Sequence, residues 1–286
     1  VLWEKFSNVD VAFVQRPAEP AMADVISRLK GFGIKVWSDF DDDFFHIQSD
    51  NKVFTSVMSP AFQKSVRACL QMSDVVTVST QALAGVIQKE TGKKATVIRN
   101  AIDPRWWTHR GPQVPREDSV TWRGLDSHHR DMESVRDPIL NWMLRHKEYH
   151  LNIFGYNPYF ITDFLPNRFR YFKAPIFQFY DALFKSGGKA GIVPLLPNIF
   201  NECKSNIAFI ELAMTGHAVV APTMQEFTDI PCVLYNEHGD HKTFTEALDY
   251  AIGNHKALAK LGYDKVMSDF TLDKWNTKRL EILESL

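Results

Sequence analysis

No apolar run in the 286 residues approaches the ~18 that a membrane-spanning helix needs, and no basic stretch leading into an apolar core opens the chain. A transmembrane segment and a secretory leader are therefore not expected. Net charge is equally scarce. Thirty-three Lys and Arg stand against 34 Asp and Glu, leaving −1, so no overall field draws the chain to nucleic acid or an anionic membrane. Only three cysteines occur, Cys69, Cys203 and Cys232. They are far apart, lack metal-ligand spacing and cannot all pair, which fits a reducing, cytoplasmic location. There is no internal repeat and no low-complexity tract. What is present is an ordinary globular composition, 45% hydrophobic and 23% charged, with length enough for two modest domains.

Short apolar runs alternate with longer helical patterns throughout, which argues for parallel sheets with crossover helices. In the first third, VDVAFVQR, IKVWSDF, DVVTVST and KATVIRN read as strands. Helices are expected over 20–32, 60–72 and 80–90, with Pro60 and Ser79 or Thr80 as sensible starts. The stretch PRWWTHRGPQVPRED after Asp103 has three prolines and neither period, and reads as a linker. A second series follows, with SVTWRGL, YHLNIFGY, FRYFKA, KAGIVPLL, HAVVAPT and CVLYN as strands and helices over 132–145, 177–184 and 205–214. From about 240 onward the chain reads as helical, broken near Gly253 and Gly262. In such sheets ligands bind beyond the carboxyl ends of the strands.

The segment CKSNIAFIELAMTGHAVVAPT, 203–223, carries the strongest chemistry. Ile207, Ile210, Leu212 and Met214 give its helix an apolar side, and Gly216 ends it. Lys204, Ser205 and Asn206 occupy the loop and first turn, where unpaired N–H groups, a lysine and a hydroxyl suit a diphosphate. Glu211 lies further down, where its carboxylate suits a ribose diol. The competing structural reading is a capped amphipathic helix with a surface Glu.

The pattern KSN, IEL, G and VVAP in this segment resembles the nucleotide-binding element of family-four retaining glycosyltransferases of the GT-B type, and the likeness spans roughly residues 9–280. It implies an α/β fold of two Rossmann-like domains, the first small or incomplete: an acceptor-side domain at 1–103, a linker at 104–117, and a nucleotide-sugar domain at 118–286 that includes C-terminal helices. The donor would lie in a cleft between them. Glu211 takes the ribose-binding role by this resemblance. The family usually places a second Glu with seven residues between the two; here that position is Cys203, and Glu202 is one residue further away. The glycine-rich loop that normally opens the family's first domain is not visible, and 9–20 corresponds to a middle strand. Either residues are missing upstream or the acceptor side is built differently.

In TWRGLDSHHRDM, 121–132, the corresponding family loop supplies a glycine for close backbone approach and cations for the diphosphate. Gly124, Arg123 and Arg130 are the candidates, with His128 beside them; fixed cations can replace a metal at a departing diphosphate. A solvated loop capped by Ser127 or Asp131 is the alternative. In VWSDFDDDFFHI, 36–47, Asp39, Asp41, Asp42 and Asp43 resemble the DXD metal motif of the single-domain glycosyltransferases. Capping and a hydrogen-bonded loop are favoured over a metal site, with Asp41–Asp43 kept as the weak candidate. Asp42 and His46, with Arg123, are expected as the catalytic residues, His46 against the acceptor or the transferred sugar, and Asp43 and His128 are expected at the cleft. Thr80 is expected to line the cleft, and Asn100 and Asp103 to form a turn.

These readings lead to a metal-independent hexosyl- or pentosyltransferase that uses a UDP- or GDP-sugar with retention and needs no cofactor. Its acceptor is unspecified. Two alternatives stand beside it: a viral-type transferase acting on modified DNA bases, for which TWRGLDSHHR and FLPNRFRYFK would form the basic face, and a noncatalytic nucleotide-sugar-binding protein.

Overall fold

The structure, a computed structural model, describes residues 6, 8–106, 117–173, 175, 178–236 and 243–286. Most of the expected linker at 104–117 lies outside them; Pro104–Trp106 form one 3-10 turn. The chain divides into two compact units. Residues 1–100, 198–205 and 273–286 form the first, and 101–197 with 206–272 the second. Two short segments beyond residue 118, one in a loop and one at the C-terminal side, thus pack with the first unit.

The first unit runs β1 (Val11–Gln15), α1 (Pro20–Gly31), β2 (Lys35–Phe40), α2 (Phe54–Val57), α3 (Pro60–Met72), β3 (Val75–Val78), α4 (Gln81–Thr91) and β4 (Thr96–Val97). Its four strands are parallel in the order β1-β2-β3-β4. Right-handed crossovers that always step in the same direction put α1, α3 and α4 on one face. There Val36, Phe40, Val76 and Val78 meet Ile26, Leu29, Val66, Leu70, Leu83 and Ile87. Ser59 and Thr80 cap α3 and α4 as expected, accepting from the Phe62 and Leu83 amides. The opposite face carries Phe13 edge-on to Trp37 at 5.2 Å. Beside them the Trp37 indole donates to Thr77, whose hydroxyl donates to Asp39.

The second unit runs β5 (Glu117–Gly124), α5 (His129–Ser134), α6 (Arg136–Arg145), β6 (His150–Gly155), α7 (Tyr159–Thr162), β7 (Phe169–Phe172), α8 (Phe179–Lys185) and β8 (Gly188–Ile192). After α9 (Ile199–Glu202), which belongs to the first unit, it continues with α10 (Ile207–Met214), β9 (Ala218–Pro222), α11 (Gln225–Thr228), β10 (Val233–Tyr235), α12 (Phe244–Gly253) and α13 (His255–Asp269). Residues 273–284 of α14 (Leu272–Glu284) return to the first unit. The six parallel strands lie in the order β10-β9-β8-β5-β6-β7. Strand order reverses beside β5, where β6 lies on one side and β8 on the other, creating a switch point at the carboxyl end. One face packs Trp122, Leu151, Ile153 and Val220 against α6 and α12, and the other packs Phe154, Val219 and Ala221 against α8, α10 and α13.

Three sequence expectations are corrected here. The single helix over 132–145 is two helices, α5 and α6, that meet at Val135. Helix α10 is not amphipathic: Ala208 to Met214 are all buried, because sheet and α13 cover it on different sides. Gly262 does not break a helix but lies inside α13, where a Cβ would stand 3.1 Å from that of Ala213. It permits the close approach of α13 to α10. The expected break at Gly253 is real, since α12 ends there.

Candidate functional site

Strand alternation decides what β5 offers. Trp122 points into the α6 face, so Arg123 points to the α8 and α10 face, in register with Phe154. Gly124 then ends the strand, and a Cβ there would stand 2.6 Å from the Trp122 ring. Glycine at 124 is thus required by packing within the strand end as well as offering bare backbone. Glu211 reaches the same place from α10, which seats its Leu212 on Gly191 of β8.

A buried carboxylate needs a partner, and Glu211 has two. Arg123 Nη2 forms an ion pair with Glu211 Oε2. The Tyr180 hydroxyl from α8 donates to Oε1 at 3.3 Å. Among the described residues, neither Arg123 Nε nor Glu211 Oε2 has a hydrogen-bond partner. Burial, then the Glu211 charge, pushes the Tyr180 phenol up to about 12, so it remains a donor at neutral pH.

These three groups form the polar wall of a cavity of about 420 Å³. The rest is backbone and apolar: Gly124 and Gly155, with Leu125, Phe154, Phe172 and Phe179. Phe154 and Phe172 stack in parallel at 4.6 Å, and Phe179 meets Phe154 edge-on at 5.9 Å. Gly155 has φ +98, and any Cβ would overlap the Gly124 carbonyl oxygen. An apolar slot with one convergent charged group, at strand carboxyl ends beside a switch point, is the usual form of a small-ligand site.

Sequence reasoning named Arg123, Gly124 and Glu211, and the structure brings them together. It missed Tyr180 and the three phenylalanines. Arg130 is exposed on α5, outside the cavity wall. His128 is half-buried, its Nδ1 2.9 Å from Asp131 Oδ2, while Asp131 Oδ1 accepts from the Leu196 amide at 2.9 Å. Asp131 therefore ties the turn after β5 to the loop after β8. Asn206, immediately before α10, is buried, and its Nδ2 has no hydrogen-bond partner among the described residues.

The remaining candidates gather in the first unit. Lys204 pairs with Asp42 at 3.7 Å and lies over the Phe200 ring at 4.4 Å. Ser205 accepts from the Asn100 side chain at 2.7 Å. The three residues expected as one diphosphate cradle are thus divided, with Lys204 and Ser205 in the first unit and Asn206 in the second. Asp41 and Asp42 pair with Arg16. Among the described residues, no three His, Cys, Asp or Glu side chains are grouped so as to hold a metal ion. Thr80, expected at a cleft, is fully buried as the cap of α4, and its hydroxyl donates to the Cys203 carbonyl at 2.9 Å.

Asp43 and His46 form a dyad, with Nδ1 2.8 Å from Oδ2. Asp43 also accepts from the Phe45 amide at 2.7 Å and faces the Cys203 thiol at 3.9 Å. Burial raises the carboxyl of Asp43 against these bonds, and burial beside Asp43 pushes the Cys203 thiol up to about 12. A neutral thiol therefore stands at the position where the family resemblance would put a carboxylate. Asp103 closes a local turn onto Arg105, as expected.

No protein-family model and no curated protein matches the sequence. Solved structures do match. Sucrose-phosphate synthase from Thermosynechococcus elongatus superposes with a TM-score of 0.70 at 13% identity, over 96% of this chain and 73% of that one. Anabaena HepE, in a complex with UDP and glucose, gives 0.70 at 12% identity over 99% and 80%. The catalytic domain of starch synthase IV from Arabidopsis thaliana, bound to ADP and acarbose, gives 0.66 at 13% over 98% and 73%. At such identities the likeness establishes the fold, two parallel α/β units of the GT-B kind.

Proposed function

We propose that this chain is a glycosyltransferase that takes a hexose or pentose from a UDP- or GDP-sugar and transfers it with retention. The observation that carries the reading is the buried Arg123–Glu211–Tyr180 group in the aromatic slot of the second unit. The solved structures of the same fold include complexes with UDP and glucose and with ADP. By analogy the base enters the slot beside Phe154, Phe172 and Phe179, the ribose hydroxyls donate to Glu211, and Arg123 turns to the diphosphate. Asn206, at the amino end of α10, and Arg130 add donors, and Lys204 and Ser205 of the first unit are kept as donor-binding candidates.

The chemistry asked of these groups is electrostatic. The bond from the sugar's anomeric carbon to the diphosphate oxygen breaks, and the acceptor oxygen bonds to that carbon on the same face. The acceptor proton passes to the departing phosphate oxygen. Fixed cations stabilise the charge that develops there, so the reading requires no metal. His46, held by Asp43, and Asp42 are assigned to the acceptor or the transferred sugar.

Thermal stabilisation by UDP-glucose, UDP-N-acetylglucosamine and GDP-mannose, followed by hydrolysis and transfer assays, tests this. Glu211→Ala is expected to weaken binding of the stabilising donor at least ~tenfold, a loss of ~1.4 kcal/mol or more typical of a hydrogen-bonded charge. Unchanged affinity removes Glu211 from the site. Binding without hydrolysis or transfer marks a nucleotide-sugar binder instead of an enzyme.

A further inference from the structure

A second depression, of about 710 Å³, adjoins the aromatic slot on the other side of Leu125 and Gly155, which line both. Three tyrosines stand in its wall, Tyr156, Tyr159 and Tyr171, together with Asp126, Asn157 and Lys173. Leu125 is 69% exposed here, Tyr159 61% and Tyr171 39%. A cluster of exposed apolar surface of this kind marks a contact site.

Two of the three tyrosines, Tyr156 and Tyr171, are held in place. The Tyr171 hydroxyl donates to the Gly155 carbonyl. The Tyr156 hydroxyl is 2.9 Å from His129 Nδ1, and the His129 ring stands edge-on to both Tyr156 and Phe160. Tyr159 is the first residue of α7. Rings fixed before a ligand arrives lower the ordering cost of binding. The rim carries one acidic and one basic side chain, Asp126 and Lys173, with the Lys173 ammonium 5.9 Å from the Tyr171 ring centre. Opposite charges at one rim favour neither an anion nor a cation.

An occupant of this groove needs apolar faces for the rings and an edge of hydroxyls for the amide, carboxylate, ammonium and phenol groups. A pyranose has both, with C–H groups on its faces and hydroxyls around its circumference. The volume falls within the ~300–1,000 Å³ of small-ligand sites, and the open side allows a ligand longer than the groove. We propose that this groove binds a neutral oligosaccharide, with Tyr159 and Tyr171 as its stacking platforms. The site is distinct from the aromatic slot and stands whether or not that slot takes a nucleotide.

The test titrates the full chain with maltotriose, cellotriose and triacetylchitotriose, observed by saturation-transfer NMR and calorimetry, with UDP binding measured in parallel. At least one trisaccharide is expected to bind with a Kd of ~0.1–10 mM. Tyr159→Ala and Tyr171→Ala should each weaken it about tenfold. Tyr159→Phe, which keeps the ring, should bind as the parent chain does, and UDP at saturating concentration should leave sugar binding unchanged. The idea is overturned if none of the three sugars binds by about 10 mM, if the two alanine variants bind unchanged, or if UDP displaces the sugar. Failure of UDP to bind bears on the nucleotide reading alone.

Discussion

Glu211 shows how a buried charge constrains its neighbours. Breaking a buried pair from one side leaves the other charge uncompensated, so Arg123→Ala is expected to cost about 3–5 kcal/mol. Urea unfolding measures this; a loss below about 1 kcal/mol contradicts a buried pair. Pairing Arg123→Ala with Glu211→Leu should recover most of that stability, because no orphaned charge remains. Tyr180 adds a pH signature. Its phenol is raised to about 12 by burial and then by Glu211, above the ordinary 10. The folded state therefore holds this proton more tightly than the unfolded chain. Its contribution to stability is complete below about pH 10 and is lost as pH rises towards about 12. Tyr180→Phe should flatten that alkaline loss in unfolding curves at pH 9 and 11. Of this group, Arg123 and Glu211 were legible because each is an ionisable residue at a strand end or in a helix beside a recognisable pattern. Tyr180 was not, since it lies 31 residues from Glu211 in a stretch already rich in aromatics. The pairing of Lys204 with Asp42 was equally invisible, because it joins residues 162 positions apart.

At the level of elements, α10 is placed by a single small residue. A Cβ on Gly191 would stand 2.7 Å from Leu212 Cδ2 and 2.8 Å from Cδ1. Gly191→Ala should therefore push α10 off β8, with a cost of about 1–3 kcal/mol and a loss of nucleotide affinity as Glu211 moves. Calorimetric melting and a UDP titration would show both; a variant as stable as its parent would mean that Leu212 repacks freely. The capping box at Thr243 and Glu246 is a milder case, and Thr243→Ala should cost about 1 kcal/mol in the same melt. All ten strands lie where the apolar runs put them, to within two residues at their starts. The single-turn helices α2, α7, α9 and α11 were not legible, because four residues are too few to show a period. Gly262 misled for another reason. Glycine is read locally as a breaker, whereas here it answers to a neighbouring helix far away in sequence.

For the whole molecule, the two-unit plan was legible from repeated strand and helix patterns, but the passage of the chain between units was not. Nothing in the composition of 198–205 or 273–286 distinguishes them from the surrounding second unit; their allegiance is set by packing such as Phe200 against Ile47 and Val57. Deleting 273–286 should therefore lower the melting temperature of the first unit and leave the second nearly unchanged. Hydrogen exchange resolved by segment would read this, and equal loss of protection in both units would contradict it. The three-part first unit also orders events during synthesis. After Asn100 leaves the ribosome, roughly ten to thirty-five seconds pass at ordinary elongation rates before 273–286 follows. Throughout that interval the four-stranded sheet lacks part of its native packing, and by its end all of the second unit, 101–197 and 206–272, has emerged. Of the two units, the one begun first is thus the one completed last, and chaperones that shield nascent chains would meet it as an incomplete sheet.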